Sequence, residues 1–494
     1  MDALDQLAVG FATALTPSHL LACFTGTALG TLIGVLPGLG PVTTIAILLP
    51  ITFSLPPTAA IIMLAGIYYG AQYGGSIAAI LVNLPGEASS SITCLDGHAM
   101  ARNGRAGVAL AVSAVGSFVG GTVGTMVIAV LSVPLASVAA NFAAADYAAL
   151  MVCGLVAAVV IAGGSVWKGL VMTAAGLLLG AVGTDVATGA ARLTFGIPEL
   201  FDGIGFVPLA IGLFALAEAI ETLASASEHS TPATTGGRFW NDASERRRAA
   251  AATARGTVVG SLLGVLPGGG PLIASFASYA VEKRFASGSP PLGSGAIEGV
   301  AGPESANNAA AQTSFVPLLT LGLPCNAVMA LMLGALVVHG IQPGPDFIVE
   351  QPTLFWGLVA SMWIGNAMLL VLNLPFVGLW ARLLKVRHTI LYPVTVVLSC
   401  TGIYAVNHST VDVWFAALFG MAGYALKTSG FKPAPLLLGF VLSKPLEENL
   451  TRALVFADGD MTTFLRHPIS AVLFAVAAGS LAFSVVAGIR RRAR

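Results

Sequence analysis

Apolar residues run through most of the chain in stretches of roughly twenty positions, the length that an α-helix needs to cross a bilayer. Four such stretches follow one another between short polar loops, at 107–133, 147–164, 167–184 and 204–222. Over the whole length, this pattern predicts an all-α polytopic membrane protein. Glycines at positions 116, 120 and 124 predict a ridge for close helix packing in the first of the four.

Glycine and proline interrupt two of the apolar runs. The sequence is PGLGP at 37–41 and PGGGP at 267–271. Proline removes a backbone donor and disturbs the preceding helical turn, while glycine permits unusual dihedral angles. Non-helical backbone at membrane depth is stable only where protein or a water-filled cavity surrounds it. The pattern therefore predicts broken helices or re-entrant hairpins, and the alternative is a tight turn at the membrane face.

The chain contains an internal repeat. Residues 26–41 read GTALGTLIGVLPGLGP and residues 256–271 read GTVVGSLLGVLPGGGP, with eleven identical positions at an offset of 230. Further along, LPGEA at 84–88 corresponds to LPCNA at 323–327, at an offset of 239. These matches predict a duplicated unit. The predicted boundaries are 1–235 for the first half with its core repeat at 18–105, 236–494 for the second half with its core repeat at 256–345, and 224–255 for a cytoplasmic linker.

Charged residues at the ends of the repeats indicate that the two halves cross the membrane in opposite directions. Acids precede the first repeat and arginines follow it, whereas arginines precede the second repeat and acids follow it. These residues are Asp2, Asp5, Arg102 and Arg105 around the first repeat, and Arg238, Arg246, Arg247, Arg248, Arg255, Asp346 and Glu350 around the second. Because basic loops favour the cytoplasmic side, we predict inverted-topology repeats with a periplasmic N-terminus and a cytoplasmic C-terminus.

Composition excludes several classes of protein. Hydrophobic residues make up 56% of the chain and charged residues 9%, whereas about 25% of the residues in soluble domains are charged. The 23 basic and 23 acidic residues leave no net charge, so we expect no nucleic-acid partner. The five cysteines lie far apart and support neither a disulfide framework nor a zinc site. The sequence also lacks H-E-x-x-H, G-x-S-x-G and G-x-x-x-x-G-K-[ST], so we do not expect an enzyme.

Polar residues cluster at a second break in each half. Neutral hydroxyl and amide groups, together with free backbone amides at helix starts, can hold a carboxylate through several hydrogen bonds. Paired breaks at corresponding positions of two repeats also indicate a transporter's substrate site. The predicted substrate-binding residues are Asn83, Pro85, Gly86, Glu87, Ala88, Ser89, Ser90, Asn307, Asn308, Pro324, Cys325 and Asn326. The alternative is that Ser and Asn at these positions only cap the broken helices.

An anion at these breaks would lack a basic partner, since residues 1–101 contain no Lys or Arg. The acids Glu87, Glu298 and Glu304 lie within the repeats, where an ionised group is costly and usually functional. A co-bound cation would offset the charge of the anion, and free carbonyls at helix ends suit sodium. We therefore predict sodium or a proton as the coupling ion and no other cofactor. The predicted cation-binding residues are Gly38, Gly40, Gly268, Gly270 and Thr320.

Two long blocks carry a resemblance to a known family. Residues 30–90, from GTLIGVLPGLGP to NLPGEASS, closely resemble the large membrane subunit of tripartite tricarboxylate transporters, and so do 264–271 and 302–336. The resemblance implies a secondary transporter of the bacterial inner membrane that has about 12 membrane segments and takes up carboxylates such as citrate. It also implies two partners, a small four-segment membrane subunit and a periplasmic solute-binding protein that delivers the substrate.

Analogy with other sodium–carboxylate transporters predicts an elevator-like movement, in which the two core repeats move against a scaffold that includes residues 107–133. The main alternative to coupled uptake is a stand-alone channel or exporter of small organic anions that uses the same broken helices without ion coupling. An intramembrane enzyme has less support, because no Ser/His or paired-Asp arrangement is evident.

Overall fold

The structure is a computed structural model that describes residues 3–36, 39–161, 165–185, 188–224, 242–266, 270–286, 290–384 and 388–492. It is 81% helical. Two-residue strands, β1 (Gly183–Thr184) and β2 (Ala191–Arg192), pair antiparallel with Gly183 opposite Arg192. The predicted all-α class is therefore confirmed.

Helices of the first half alternate between long rods and short pieces. They are α1 (Ala3–Ala14), α2 (Pro17–Gly34), α3 (Pro41–Thr52), α4 (Pro57–Val82), α5 (Ala106–Ala139), α6 (Ala144–Ile161), α7 (Val166–Gly180), α8 (Phe206–Ala210) and α9 (Ala217–Ala224). Between them lie 3₁₀ turns at Ala88–Ser91 and Pro198–Leu200 and π-helical segments at Cys94–His98, Ala101–Arg105 and Ile211–Leu216. Proline begins α2, α3 and α4, where its missing N–H group has no helical partner to lose.

Helices of the second half follow the same alternation. They are α10 (Ala243–Val265), α11 (Gly270–Phe285), α12 (Glu298–Thr313), α13 (Phe315–Leu321), α14 (Ala327–Val338), α15 (Phe347–Glu350), α16 (Pro352–Asn373), α17 (Val377–Leu383), α18 (His388–Asn407), α19 (Thr410–Thr428), α20 (Ala434–Phe456), α21 (Thr463–Arg466) and α22 (Pro468–Arg492). Most of the predicted linker, residues 225–241, lies outside the described residues. Helix α10 begins within the rest of the linker, and its first turn is capped by the Asp242 side chain.

Three described helices are long and apolar enough to cross a membrane, at Ala101–Ala139, Pro352–Asn373 and Pro468–Val486. The pair Asp5–Ala14 and Pro17–Gly34, bent by 75°, would make a fourth span. Short helices follow the break at 37–41 and the break at 323–326, since α3 and α14 have 12 residues each. A helix of that length rises about 18 Å, roughly half a bilayer. The count of about 12 segments stays a prediction.

Matching glycines bring two helix pairs into backbone contact. A Cβ atom added at each glycine would lie between 2.1 and 2.6 Å from the backbone of the facing helix, so only glycine fits. The pairs are Gly26 with Met63, Gly30 with Ile67 and Gly34 with Ala71 for α2 on α4, and Gly256 with Gly302, Gly260 with Ala306 and Gly264 with Ala310 for α10 on α12. The second set follows from the first at the offsets of 230 and 239.

Helix α5 packs against the second half through its glycine ridge. A Cβ atom at Gly116, Gly120 or Gly124 would lie 3.2, 2.2 or 2.9 Å from a carbonyl oxygen of α12. The same helix contacts α16, where Asn366 donates to the Phe118 carbonyl oxygen at 2.8 Å. The structure thus confirms that these glycines form a packing ridge.

The helices from α6 to α9 and from α18 to α22 pack mainly with one another. In one group, α7 and α20 meet where a Cβ atom at Gly176 would lie 2.0 Å from the Leu436 carbonyl oxygen, and α6 packs on α22. In another, the stretch from α8 to α9 packs on α18 and α19, with Gly212 against the Ala416 backbone.

The ends of the two repeats meet crosswise. Residues before the first repeat lie beside residues after the second, since Gly10 packs on the Trp356 carbonyl group and the Phe11 and Trp363 rings stack at 5.9 Å. The end of the first repeat instead lies beside the start of the second. There, Arg105 donates to both Glu245 oxygens at 2.7 and 2.8 Å.

Candidate functional site

The second break has the same backbone in both halves. Helix α4 ends at Asn83 with φ 58° and ψ 24°, and α13 ends at Gly322 with φ 67° and ψ 23°. Both residues are left-handed and both precede Leu-Pro, and they are 239 positions apart. Extended residues follow at Glu87 before the 3₁₀ turn and at Asn326 before α14, again at that offset.

The first break of each half lies beside the second break of the same half. A Cβ atom at Gly40 would lie 3.8 Å from the Gly86 carbonyl oxygen and 3.9 Å from the Glu87 Cβ atom. A Cβ atom at Gly270 would lie 3.4 Å from Asn326 Nδ2. Gly38 and Gly268, also predicted to bind the cation, lie outside the described residues.

Glycine makes the second break compact. A Cβ atom at Gly86 would lie 2.2 Å from the Gly34 carbonyl oxygen and 2.6 Å from the Gly75 Cα atom. The loop therefore lies directly on α2 and α4, and this contact directs the Glu87 side chain into the protein, where it is 8% exposed. Pro85 is half-buried, whereas Ala88 and Asn83 are exposed.

Glu87 joins the two halves. Its Oε1 atom accepts hydrogen bonds from the Ser89 hydroxyl group and from Asn307 Nδ2, the latter at 3.2 Å. Gln72 Oε1 lies 3.1 Å from the same Ser89 hydroxyl group. On the opposite side, Ser275 of α11 donates to the Ser89 carbonyl oxygen at 3.0 Å. One carboxyl group, two amides and two hydroxyls thus meet where the breaks of both halves converge.

Several buried polar atoms around this cluster have no protein partner in the part of the chain that the structure describes. They are Tyr68 Oη, Ser90 Oγ, Asn307 Oδ1 and Asn326 Nδ2. Tyr68 faces Glu87, Gln72 and Asn326, which places these side chains in one neighbourhood. Buried polar atoms without a protein partner need water or a ligand, so they are available to hold a polar substrate.

Capping explains only part of the chemistry of Asn326. Its Oδ1 atom accepts from the Met329 N–H group at 3.0 Å and so caps α14, as the alternative interpretation expects. Its Nδ2 atom has no such partner in the described structure and lies beside Gly270. The buried Pro324 and Cys325 shape the loop before it.

Two predicted residues point elsewhere. Asn308 donates to Ser117 Oγ at 2.8 Å and to the Glu304 carbonyl oxygen at 3.1 Å, so it belongs to a second polar cluster. Thr320 is fully buried in α13, and its hydroxyl group donates to the Val316 carbonyl oxygen at 2.7 Å. Its oxygen keeps a lone pair, but the hydroxyl proton is used within the helix.

Glu304 is the centre of the second polar cluster. Its side chain is fully buried in α12, and Ser76 of α4 donates to Oε2 at 2.5 Å. Thr93 donates to Oε1, and Ser117 of α5 lies 3.5 Å from Oε2. Within the described part of the chain, the hydrogen-bond partners of this carboxyl group are hydroxyl groups from three different segments.

Glu298, another acid within the repeats, is an ion-pair residue. Both of its oxygens accept from Arg248, at 2.6 and 2.8 Å. Glu282 pairs in the same two-point way with Arg255, at 2.9 and 2.6 Å. The sequence alone did not reveal this ion pair between Glu298 and Arg248.

Sequence reasoning missed the role of Asp96. Its buried carboxylate accepts from the N–H groups of Gly293, Gly295 and Ala296, each at 2.8 Å, and from the Tyr279 hydroxyl group at 2.9 Å. This residue fastens the segment after the second break of the first half to the loop before α12. The partners lie about 200 positions away, so no local pattern could reveal them.

Most of the chain matches one family of known proteins. The family model described as "Tripartite tricarboxylate transporter TctA family" matches residues 20–438. The chain belongs to the TctA family. TctA proteins are transporter components rather than enzymes, so this chain is a membrane protein that works with partner subunits and a binding protein.

Two relatives of this TctA chain come from Agrobacterium vitis. One, "Uncharacterized 52.8 kDa protein in TAR-I ttuC' 3'region", is 52% identical over 492 residues, which cover 100% of this chain and 98% of the relative. The other, "Uncharacterized protein in TAR-II ttuC' 3'region", is 53% identical over 233 residues, which cover 47% of this chain and 96% of the relative. No solved structure matches the chain.

Proposed function

We propose that this TctA chain is the large membrane subunit of a transporter that takes up carboxylate anions, such as citrate or a related di- or tricarboxylate, across the bacterial inner membrane. A cation gradient drives the uptake. A periplasmic binding protein delivers the substrate, and a small four-segment membrane subunit completes the complex.

One observation carries the proposal, namely the meeting of the breaks of both halves at Glu87. Asn307 of the second half donates to this carboxyl group, and Ser275 donates to the neighbouring Ser89 carbonyl oxygen. Free amide and hydroxyl atoms border the same place. Such groups can bind a carboxylate directly, and their position between two repeats is typical of a transporter site.

Electrostatics support coupling to a cation. A substrate carboxylate at this site would meet the Glu87 carboxyl group, and removing each ion from water costs several kcal/mol even after relaxation. A helix N-terminus offsets about 0.3–1 kcal/mol, which is too little alone. A sodium ion or proton would supply the remainder. A sodium ion in this role would lie by Gly40 and Gly270, since each lies next to a substrate-binding break, with Gly38, Gly268 and Thr320 as further ligands, whereas a proton needs a titratable group.

Crosswise contacts support the inverted arrangement of the repeats. In inverted repeats, the start of each lies on the same side of the membrane as the end of the other. The contact of Gly10 with Trp356 and the Arg105–Glu245 ion pair have this pattern. Arg248 lies one turn after Glu245, so the positive-inside rule places this end in the cytoplasm.

Packing supports an elevator-like movement with a larger mobile unit than the sequence suggested. Helix α5 lies in backbone contact with α12, and α16 contacts α1 and α5. Such close packing does not slide easily, so we assign α5 and α16 to the mobile unit rather than to the scaffold. The scaffold is then the group of α6, α7, α20 and α22 and the group of α8, α9, α18 and α19.

Uptake of radiolabelled citrate into vesicles that contain the complete three-part system tests this function. We expect accumulation above the external concentration, with loss of accumulation when sodium and proton gradients are both collapsed. A channel would only equilibrate citrate, and an exporter would move it outward. Accumulation that is indifferent to both gradients contradicts the proposal.

A disulfide between a repeat and the scaffold tests the elevator separately. Cysteines at Pro50 of α3 and Gly402 of α18 are suitable, because a Cβ atom at Gly402 would lie 2.9 Å from the Pro50 ring. Oxidation should stop transport and reduction should restore it. Transport that continues in the oxidised protein contradicts the movement.

A further inference from the structure

The Glu304 carboxyl group has no place in the substrate site described above. It lies on α12, and its hydroxyl partners come from α4, from the segment before Cys94 and from α5. A fully buried carboxylate is expensive unless it is paired or neutralised. Hydroxyl groups can satisfy the hydrogen bonds of a carboxyl group but carry no charge, so this environment favours a carboxyl group that holds a proton.

Hydrogen-bond counting agrees with a protonated form. Ser76 has a single hydroxyl proton, yet its oxygen lies 2.5 Å from Glu304 Oε2 and 3.1 Å from the Gln72 carbonyl oxygen, which are both acceptors when Glu304 is ionised. If Glu304 carries the proton on Oε2, it donates to Ser76 and Ser76 donates to Gln72. Every short contact is then satisfied.

A small cavity lies close to this carboxyl group. The cavity has a volume of about 10 Å³, room for one water molecule. Its lining residues are Tyr73, Ile77, Leu110, Ser113, Ala114 and Asn373. Ser113 also faces Glu304. The Asn373 side chain is 3% exposed, and its Oδ1 atom has no partner in the described structure, so it can orient a water molecule there.

The other titratable groups around Glu304 come from neighbouring elements. Tyr73 of α4, Cys94 and Glu87 face it. On the far side of α12, Arg255 of α10 is paired with Glu282 of α11. That pair is neutral as a whole, so it does not provide Glu304 with a free counter-charge.

We propose that Glu304 carries the coupling proton of the transport cycle. The carboxylate takes a proton from external water before the loaded transporter moves and returns it to cytoplasmic water afterwards, by way of Ser113 and the cavity. The only bond that forms and breaks is the O–H bond of the carboxyl group. This inference rests on the proposed function, because it names the ion that drives it.

Two assays on the full complex, reconstituted in sodium-free vesicles, separate coupling from binding. The first measures net citrate uptake driven by an imposed pH gradient. With one proton per citrate, one pH unit supports about tenfold accumulation. The second measures exchange of internal for external citrate at equal pH, which needs binding and movement but no net proton transfer.

In Glu304→Gln we expect the pH-driven accumulation to fall about tenfold, to the level without a gradient, while exchange continues. Glu350→Gln is the matched control, because this acid is exposed outside the core repeat, and it should match wild type in both assays. Accumulation that persists in Glu304→Gln overturns the proposal. Loss of exchange as well, in a variant with wild-type thermal stability, also overturns it, because the residue is then needed for substrate binding or movement rather than for proton transfer alone.

Two further outcomes are decisive. If Glu304→Gln does not fold, Glu304→Asp carries the test, since it keeps a carboxyl group that is shorter by one methylene. We expect it to shift the pH dependence of net uptake, and an unchanged pH profile overturns the proposal. If wild type accumulates citrate only on a sodium gradient, Glu304 is not the coupling group although the proposed function stands. If wild type accumulates no citrate under any gradient, the proposed function fails first.

Discussion

Removing the Asp96 carboxylate should weaken the contact between the two halves. Its Oδ1 atom accepts three N–H groups at 2.8 Å, from Gly293, Gly295 and Ala296, and its Oδ2 atom accepts from Tyr279. In Asp96→Ala these buried donors lose their acceptor, and each unsatisfied group costs about 1–3 kcal/mol. Because the Tyr279 hydroxyl group can turn and the loop can relax, we expect a total loss of about 3–5 kcal/mol.

Asp96→Asn separates charge from shape. The amide oxygen can still accept the three N–H groups, but the amide nitrogen then faces the Gly293 N–H group, which lies 3.0 Å from Oδ2. Two donors cannot satisfy each other, so we expect a smaller loss of about 1–3 kcal/mol.

Thermal and denaturant unfolding of the purified protein measure these losses, with the order wild type, Asp96→Asn, Asp96→Ala. Asp458→Asn is the control, because Asp458 is exposed with φ 48°, a conformation that Asn also adopts. Its effect should stay within about 0.5 kcal/mol. If Asp96→Ala unfolds at the same temperature and denaturant concentration as the control, the carboxylate does not hold the halves together.

Three further predictions address the site and the topology. Asn83→Gly should be as stable as wild type, while Asn83→Ala should lose about 1–2 kcal/mol of stability because alanine is strained in the left-handed conformation. Normal citrate uptake by the glycine variant would show that Asn83 is not a substrate ligand. Asn326→Ser keeps a helix cap but loses the amide N–H groups, so uptake should fall while stability holds, and normal uptake would refute the Asn326 contact. Impermeant labelling of single cysteines should reach position 5 from outside and positions 102 and 248 only from inside, and labelling of 5 and 102 from one side would refute inverted repeats.

Features that depend on local sequence were predictable. The breaks after α2 and α10 follow from the Gly and Pro residues there, which disturb a helix in any surroundings. The Leu-Pro pair likewise marks the end of α4 and α13, because the residue before proline avoids helical dihedrals. Membership of the TctA family was predictable for the same reason, since it rests on contiguous blocks of sequence.

Features that depend on contacts between distant parts of the sequence were not predictable. Glu298 and Glu304 are similar as isolated acids on one helix, but the fold pairs one with Arg248 and surrounds the other with hydroxyls. Likewise, Asp96 looks like a loop acid until the loop before α12 folds around it. Only the three-dimensional arrangement separates a structural ion pair, a structural clamp and a candidate proton carrier.

The duplication repeats the backbone but not the acids. At the offset of 239, Glu87 corresponds to Asn326 and Glu304 corresponds to Ala65. Glu87 and Asn326 share the same extended backbone position before a helical turn, so the difference is chemical. A symmetric pair of acids would place two like charges beside an anionic substrate, at a cost of several kcal/mol for each ion. With one acid and one amide, the protein itself contributes a single negative charge, which one cation can neutralise. The two repeats are therefore alike in shape and different in charge at the proposed anion site.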